Sequence, residues 1–200
     1  SAASDVYKRQ DFIVSDCNAL ALASIDQWPN WRGSYRALNI VGPSGAGKSH
    51  LAAIWQSVVQ NSLRVTRLAA GQRLPNPAFY VLDEVAHSRA WDEEALFHCF
   101  NRCAVQTGGI LLLSQMPVGQ MNWHLPDLRS RMRAVNLAQI DLPDDNLLFA
   151  LLNKYFADFR FIKDSPKMII GFFELIINFE ISFLFSVISL IVCVLPSKLL

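Results

Sequence analysis

Four stretches of this 200-residue chain combine residue types and spacings suited to chemistry. The first is Gly42-Pro43-Ser44-Gly45-Ala46-Gly47-Lys48-Ser49, followed by His50. Its glycines let a backbone turn tightly and aim N–H groups at phosphate oxygens. Lys48 adds positive charge for the β- and γ-phosphates, and Ser49 a hydroxyl for a magnesium ion. The second is Phe79-Tyr80-Val81-Leu82-Asp83-Glu84, beginning the acidic pair 35 residues after Lys48. A buried strand of this kind delivers Asp83 to the magnesium shell beside Ser49 and sets Glu84 to polarise a water for attack on a γ-phosphate. The third is Ser114-Gln115, at the end of the apolar run Ile110–Leu113. It either touches the γ-phosphate or its attacking water, or is an ordinary strand-end turn leading to Pro117. The fourth is Asp127-Leu128-Arg129-Ser130-Arg131-Met132-Arg133. Arginines at i, i+2 and i+4 cannot all share one helix face. They form a solvated basic helix, or one of them reaches the γ-phosphate of a neighbouring subunit as an arginine finger.

These groups need elements to hold them. Ala37–Val41 is a short apolar run ending in the glycine-rich loop, and Leu51–Val59 continues beyond it as a helix, so the loop lies between strand and helix. Upstream, Phe12-Ile13-Val14 is extended and Asp16 is a plausible N-cap for a helix bearing Leu20, Leu22 and Ile25. Trp28-Pro29-Asn30-Trp31 is a turn. Arg64–Leu68 reads as a second strand and Phe79–Leu82 as a third; the link between them, with Gly71, Pro75 and Pro77, is short for a crossover helix. Asp92 caps an amphipathic helix with Leu96, Phe97, Phe100 and Cys103 along one face. Ile110–Leu113 is a fourth strand, Pro126–Met132 a short helix and Val135–Ile140 a fifth strand. Asp144 caps a helix through Phe156. Strands alternating with helices predict an α/β fold with a parallel sheet covered on both faces.

The balance of charge narrows the class. A net charge of +1 does not describe a strongly basic nucleic-acid-binding domain. Four cysteines, at 17, 99, 103 and 193, have no disulfide-framework spacing, and no secretory signal is recognisable, so a reduced cytoplasmic setting is expected. His98, Cys99 and Cys103 lack a second ligand pair and read as core packing rather than a metal site. The five tryptophans are scattered, which argues against an aromatic nucleic-acid platform. Ser1–Gln10 resembles translated sequencing-adapter sequence and is expected to lie outside the native fold. After Ser165 only Lys167, Glu174, Glu180 and Lys198 are charged. Ile181–Leu195 offers fifteen uncharged residues, fewer than the about 20 a membrane span needs.

In this order, the motifs resemble the AAA+ ATPase domain of bacterial DnaA-type replication initiators, and more closely the Hda-type regulatory inactivators of DnaA. The resemblance is carried by Asp11–Val14, Asn18–Ala21, Trp28–Trp31, Gly42–His50, Asp92–His98 and Leu125–Arg131, and covers roughly residues 11–158. It implies a five-stranded parallel P-loop sheet flanked by helices with a small C-terminal helical lid. The domain reading is then a non-native or disordered segment 1–10, a nucleotide-binding domain 11–143 and a lid 144–200, atypically apolar over 165–200. The resemblance implies an adenine pocket around Val14 and Asn18, with Arg131 as the finger. It implies ATP or ADP with Mg²⁺ as ligands, and a DnaA-type initiator and the DNA polymerase sliding clamp as partners. The implied activity is to promote hydrolysis of initiator-bound ATP and so suppress re-initiation of replication, with weak turnover of its own. A homo-oligomer is possible on this reading, while direct sequence-specific DNA binding and a membrane span are not expected.

Two features depart from the family. Ser1–Gln10 occupies the place of its clamp-binding peptide. In the tail, Ser165-Pro166-Lys167 is a good helix start, yet Ile181 stands where the family's phosphate-sensing lid arginine belongs. Two other readings remain beside the regulator: a DNA-loading ATPase, such as a transposition helper or helicase loader, and a membrane-tethered ATPase using Ile169–Leu195.

Overall fold

A computed structural model describes residues 11–33, 35–59, 61–72, 78–86 and 91–161. The expectations for Ser1–Gln10, the 165–200 tail, Ile181 and Cys193 lie outside those residues. The chain divides after Leu151 into two units; the sheet and the site below belong to the first.

The elements run α1 (Asp16–Asp26), β1 (Ala37–Val41), α2 (Lys48–Val59), β2 (Ser62–Val65), β3 (Phe79–Leu82), α3 (Glu93–Val105), β4 (Gly109–Ser114), a 3₁₀ turn (Val118–Gln120), α4 (Pro126–Arg133), β5 (Asn136–Gln139) and α5 (Asp145–Phe161). The five strands form one parallel sheet in the order β2-β3-β4-β1-β5. Strand β1 is wholly buried and apolar except for Asn39, and β4 is wholly buried, as expected for strands covered on both faces.

Alternation along the strands sorts the core into two layers. Ile110 and Leu112 face Leu96, Phe100 and Cys103 of α3 and Leu128 and Met132 of α4. Leu111 and Leu113 face Ala21 and Ile25 of α1 and Leu51, Ile54 and Trp55 of α2. The tryptophans of the first half converge: Trp31 stacks on Trp55 at 5.3 Å between ring centres, and Trp28 meets both edge-on.

Local chemistry sets most of the boundaries. The Asp92 carboxylate accepts from the Ala95 N–H at 2.9 Å and starts α3. The Asp144 carboxylate accepts from Leu147 N–H at 2.7 Å and starts α5. Helix α1 corrects the reading of Asp16 as N-cap: Ser15 holds that position with extended backbone, and Asn18 closes the turn by accepting the Ser15 N–H at 3.0 Å. Leu20, read as part of the apolar face, is exposed; Cys17, Ala21 and Ile25 carry the buried stripe instead. Strand β2 also begins and ends earlier than its sequence suggests, because Ser62 and Leu63 pair with Phe79 and Tyr80.

Candidate functional site

The strand order brings the chemical groups together. Because β1, β4 and β3 are neighbours, the loops after all three open at one edge of the sheet. They surround a cleft of about 720 Å³ lined by Ser44, Gly45, Gly47, Lys48 and Ser49 from the first loop, Asp83 and Glu84 after β3, and Ser114 and Gln115 after β4. Met116 and Met121 form an apolar wall.

The first loop has a phosphate-cradling shape. Gly45 and Gly47 take φ of 77° and 91°, left-handed values that side chains resist. Gly42 lies against Ile140, Pro43 and Ala46 are joined by a backbone hydrogen bond of 3.3 Å, and α2 starts at Lys48. The first N–H groups of a helix have no intrahelical acceptor and carry the positive end of its dipole into the cleft. The Lys48 ammonium donates to the carbonyls of Gly42 at 2.7 Å and Pro43 at 2.6 Å. Burial lowers its pKa from the ordinary lysine value, while the Asp83 and Glu84 carboxylates act the other way.

After β3, Asp83 is buried and Glu84 is exposed. Glu84 has φ of 56°, an uncommon conformation for a non-glycine residue. It is held by its own N–H on Asp83 Oδ1 at 3.0 Å and by Trp91 Nε1 donating to its carbonyl at 3.3 Å. Ser114 is buried as well. Its hydroxyl donates to the Met116 carbonyl at 2.7 Å and accepts from Asn39 Nδ2 at 2.9 Å.

Two residues escaped the sequence reading. Asn39, inside the apolar run Ala37–Val41, bonds Ser114 Oγ and the Leu112 carbonyl, and its Oδ1 accepts the Val118 N–H. One amide in an otherwise aliphatic strand was the available signal. Arg64 stands in strand β2, with nothing in its own sequence neighbourhood to mark it as a site residue. Its Nη2 donates to Ser49 Oγ at 2.8 Å and to Asp83 Oδ2, and its Nε donates to the same carboxylate oxygen at 3.0 Å. Ser49 and Asp83, the pair expected to hold magnesium, are therefore adjacent but already joined through a guanidinium. Magnesium demands near-octahedral oxygen ligands at about 2.0–2.1 Å. With both oxygens accepting from Arg64, this arrangement does not fit the ion as it stands. Among the described residues no cluster of three or more acidic, histidine or cysteine side chains suits a metal.

The remaining candidates lie apart from the cleft lining. The Asn18 amide donates to the Ile13 carbonyl at 3.0 Å while accepting from Ser15, so it shapes the loop on which Val14 stands exposed. His50 packs edge-on against Phe12. Arg131 is half-buried over the rings of Phe97, at 3.9 Å, and Tyr35, at 4.7 Å, and donates to Asn101 Oδ1 at 2.7 Å. Its helix is fixed by Glu93, whose carboxylate accepts from the Leu125 and His124 N–H groups at 2.6 and 3.0 Å. Arg129 and Arg133 are exposed.

Sheet order, loop and cleft define an α/β fold, a five-stranded parallel sheet flanked by helices with a glycine-rich loop between β1 and α2. The fold is similar to that of a DNA replication initiation factor, with a TM-score of 0.60, 19% identity and 82% of this chain matching 57% of that one. It is similar to AMPPCP-bound DnaA from Aquifex aeolicus, with a TM-score of 0.59 and 19% identity over 91% and 63% of the two chains. Domain III of the Thermotoga maritima replication initiation protein DnaA gives 0.58 and 20%, over 82% and 78%. The chain thus spans less than two thirds of the length of the first two structures. No family model matches the sequence, and no curated protein shows significant similarity to it. Among the described residues no helix is long and apolar enough to cross a membrane.

Proposed function

We propose that this chain is a DnaA-related adenine-nucleotide-binding protein that promotes hydrolysis of ATP held by a DnaA-type initiator, in company with the sliding clamp. The observation that carries the nucleotide part is the P-loop: left-handed Gly45 and Gly47, the start of α2 and the Lys48 ammonium all face one cleft. A triphosphate placed there would take over the Lys48 donors from the loop carbonyls. Glu84 stands at the cleft as the group to orient a water. Ser114 stands beside it, though its hydroxyl is spent within the fold, which favours a positioning role. The AMPPCP bound by the similar DnaA from Aquifex aeolicus supports an adenine nucleotide as ligand. Val14 and Asn18 are then the entrance to the base site.

Arg131 is assigned to the partner's nucleotide rather than its own. It lies outside the lining of its own cleft, and its planar group is pre-oriented by Phe97, Tyr35 and Asn101. The test is hydrolysis by ATP-loaded initiator mixed with clamp-loaded DNA and this protein, supplied with the family's clamp peptide. Arginine fingers contribute about 10³–10⁵ in rate in GTPases, so Arg131→Ala should remove nearly all stimulation. Arg131→Lys should restore little of it, since lysine keeps the charge but loses the planar fork. Stimulation by Arg131→Ala equal to the parent would remove the assignment. Binding of single-stranded DNA without any effect on the initiator would point to a DNA-loading ATPase instead.

A further inference from the structure

Arg64 sits where a P-loop site ordinarily recruits a divalent cation. Its main chain is pinned in the β2–β3 ladder, opposite Val81, and its side chain crosses to both Asp83 and Ser49. The Asp83 side chain is only 11% exposed, so its charge requires a counter-charge nearby. A guanidinium supplies it permanently, because arginine does not lose its proton in proteins. Any Mg²⁺ entering between the same oxygens has to break three N–H donations and expel a like charge.

We propose that Arg64 is the resident cation of this site: it replaces Mg²⁺ in balancing Asp83 beside Ser49, and nucleotide binds with little gain from the metal. The proposal rests on the nucleotide reading of the cleft. Lys48, in the cleft lining, then meets the phosphate charge, while Arg64, outside that lining, neutralises the Asp83 carboxylate beside Ser49. Discrimination among nucleotides falls to protein groups and not to the coordination shell of an ion.

The experiment is equilibrium titration of the full chain with a fluorescent ADP analogue, in excess Mg²⁺ and in EDTA. The wild-type affinities should agree within about threefold. Arg64→Gln, which frees both oxygens while keeping a polar side chain of similar width, should raise the Mg²⁺-to-EDTA affinity ratio to about tenfold or more, a difference of about 1.4 kcal/mol. A wild-type ratio of about tenfold or more overturns the proposal without recourse to any variant. So does a folded Arg64→Gln protein whose ratio stays at the wild-type value. Absence of binding in both buffers overturns the nucleotide reading itself, and this proposal with it. Magnesium-dependent binding overturns Arg64 alone.

Discussion

Lys48 and Arg64 show how differently two cations of one site are encoded. Lys48 is legible because its neighbours in sequence are its neighbours in space: the loop that positions it is eight consecutive residues. Arg64 is invisible because its partners arrive from α2 and from the end of β3, and only strand pairing brings the three together. Asp83 was legible as a strand-end carboxylate; what already neutralises it was not. Among the described residues the Lys48 ammonium bonds the Gly42 and Pro43 carbonyls of its own loop, so its removal should spare the fold. Lys48→Ala should lower nucleotide affinity by about a hundredfold or more, given about 1.5–3 kcal/mol for each charge-assisted hydrogen bond. Its urea unfolding curve should match that of the parent. Unchanged affinity in a fluorescent-nucleotide titration would mean that the cleft is not the binding site.

At the scale of elements, apolar runs located β1, β3 and β4, and carboxylate caps located α3 and α5, while β2, Ser-Leu-Arg-Val, lies earlier than the Arg64–Leu68 expected. The misplaced details have one cause in common. Ser15 rather than Asp16 caps α1, and Leu20 is exposed, because the docking of α1 is set by Asn18 and Cys17 beneath it, a tertiary choice that periodicity does not contain. Gly108 and Gly109, at the entry to β4, are close-approach positions. A methyl on Gly109 would stand 2.5 Å from the Trp28 ring, and one on Gly108 would stand 1.7 Å from the Ala78 carbonyl oxygen. That carbonyl also accepts the Gly109 N–H at 3.1 Å and cannot yield without losing the bond. Gly109→Ala should cost about 1–3 kcal/mol, the usual range for overpacking, and Gly108→Ala more. Urea denaturation orders the two; a Gly108→Ala protein as stable as the parent would show that β4 does not need this approach.

For the whole molecule, the buried thiols of α3 link stability to pH. Burial pushes Cys99 up to about 11 and Cys103 up to about 12, the latter helped by its neighbour. An unfolded cysteine ionises near pH 8.5. Between about pH 9 and 11 the unfolded chain has therefore released protons that the native chain retains, and stability falls as pH rises, by about 1.4 kcal/mol per pH unit for each thiol. Tyr80, raised by burial, adds in the same direction; Lys48, lowered by burial, opposes it. The measurement is unfolding free energy across that range for the parent and for Cys99→Ala/Cys103→Ala. The double variant should show a shallower fall. Equal slopes would mean that these thiols ionise alike in both states.

The placing of the tryptophans has an optical consequence. Trp31, Trp55, Trp91 and Trp123 are buried, Trp28 is half-buried among them, and none lines the cleft. Ultraviolet emission from this chain is therefore a report on its core, where the ring centres of Trp28, Trp31 and Trp55 lie 4.9–5.5 Å apart. Trp91 stands apart, because its indole N–H ends on the carbonyl of Glu84. It couples one emitter to the segment that would orient the attacking water, so a change in that segment has a native chromophore wired to it while the rest of the fluorescence follows the fold.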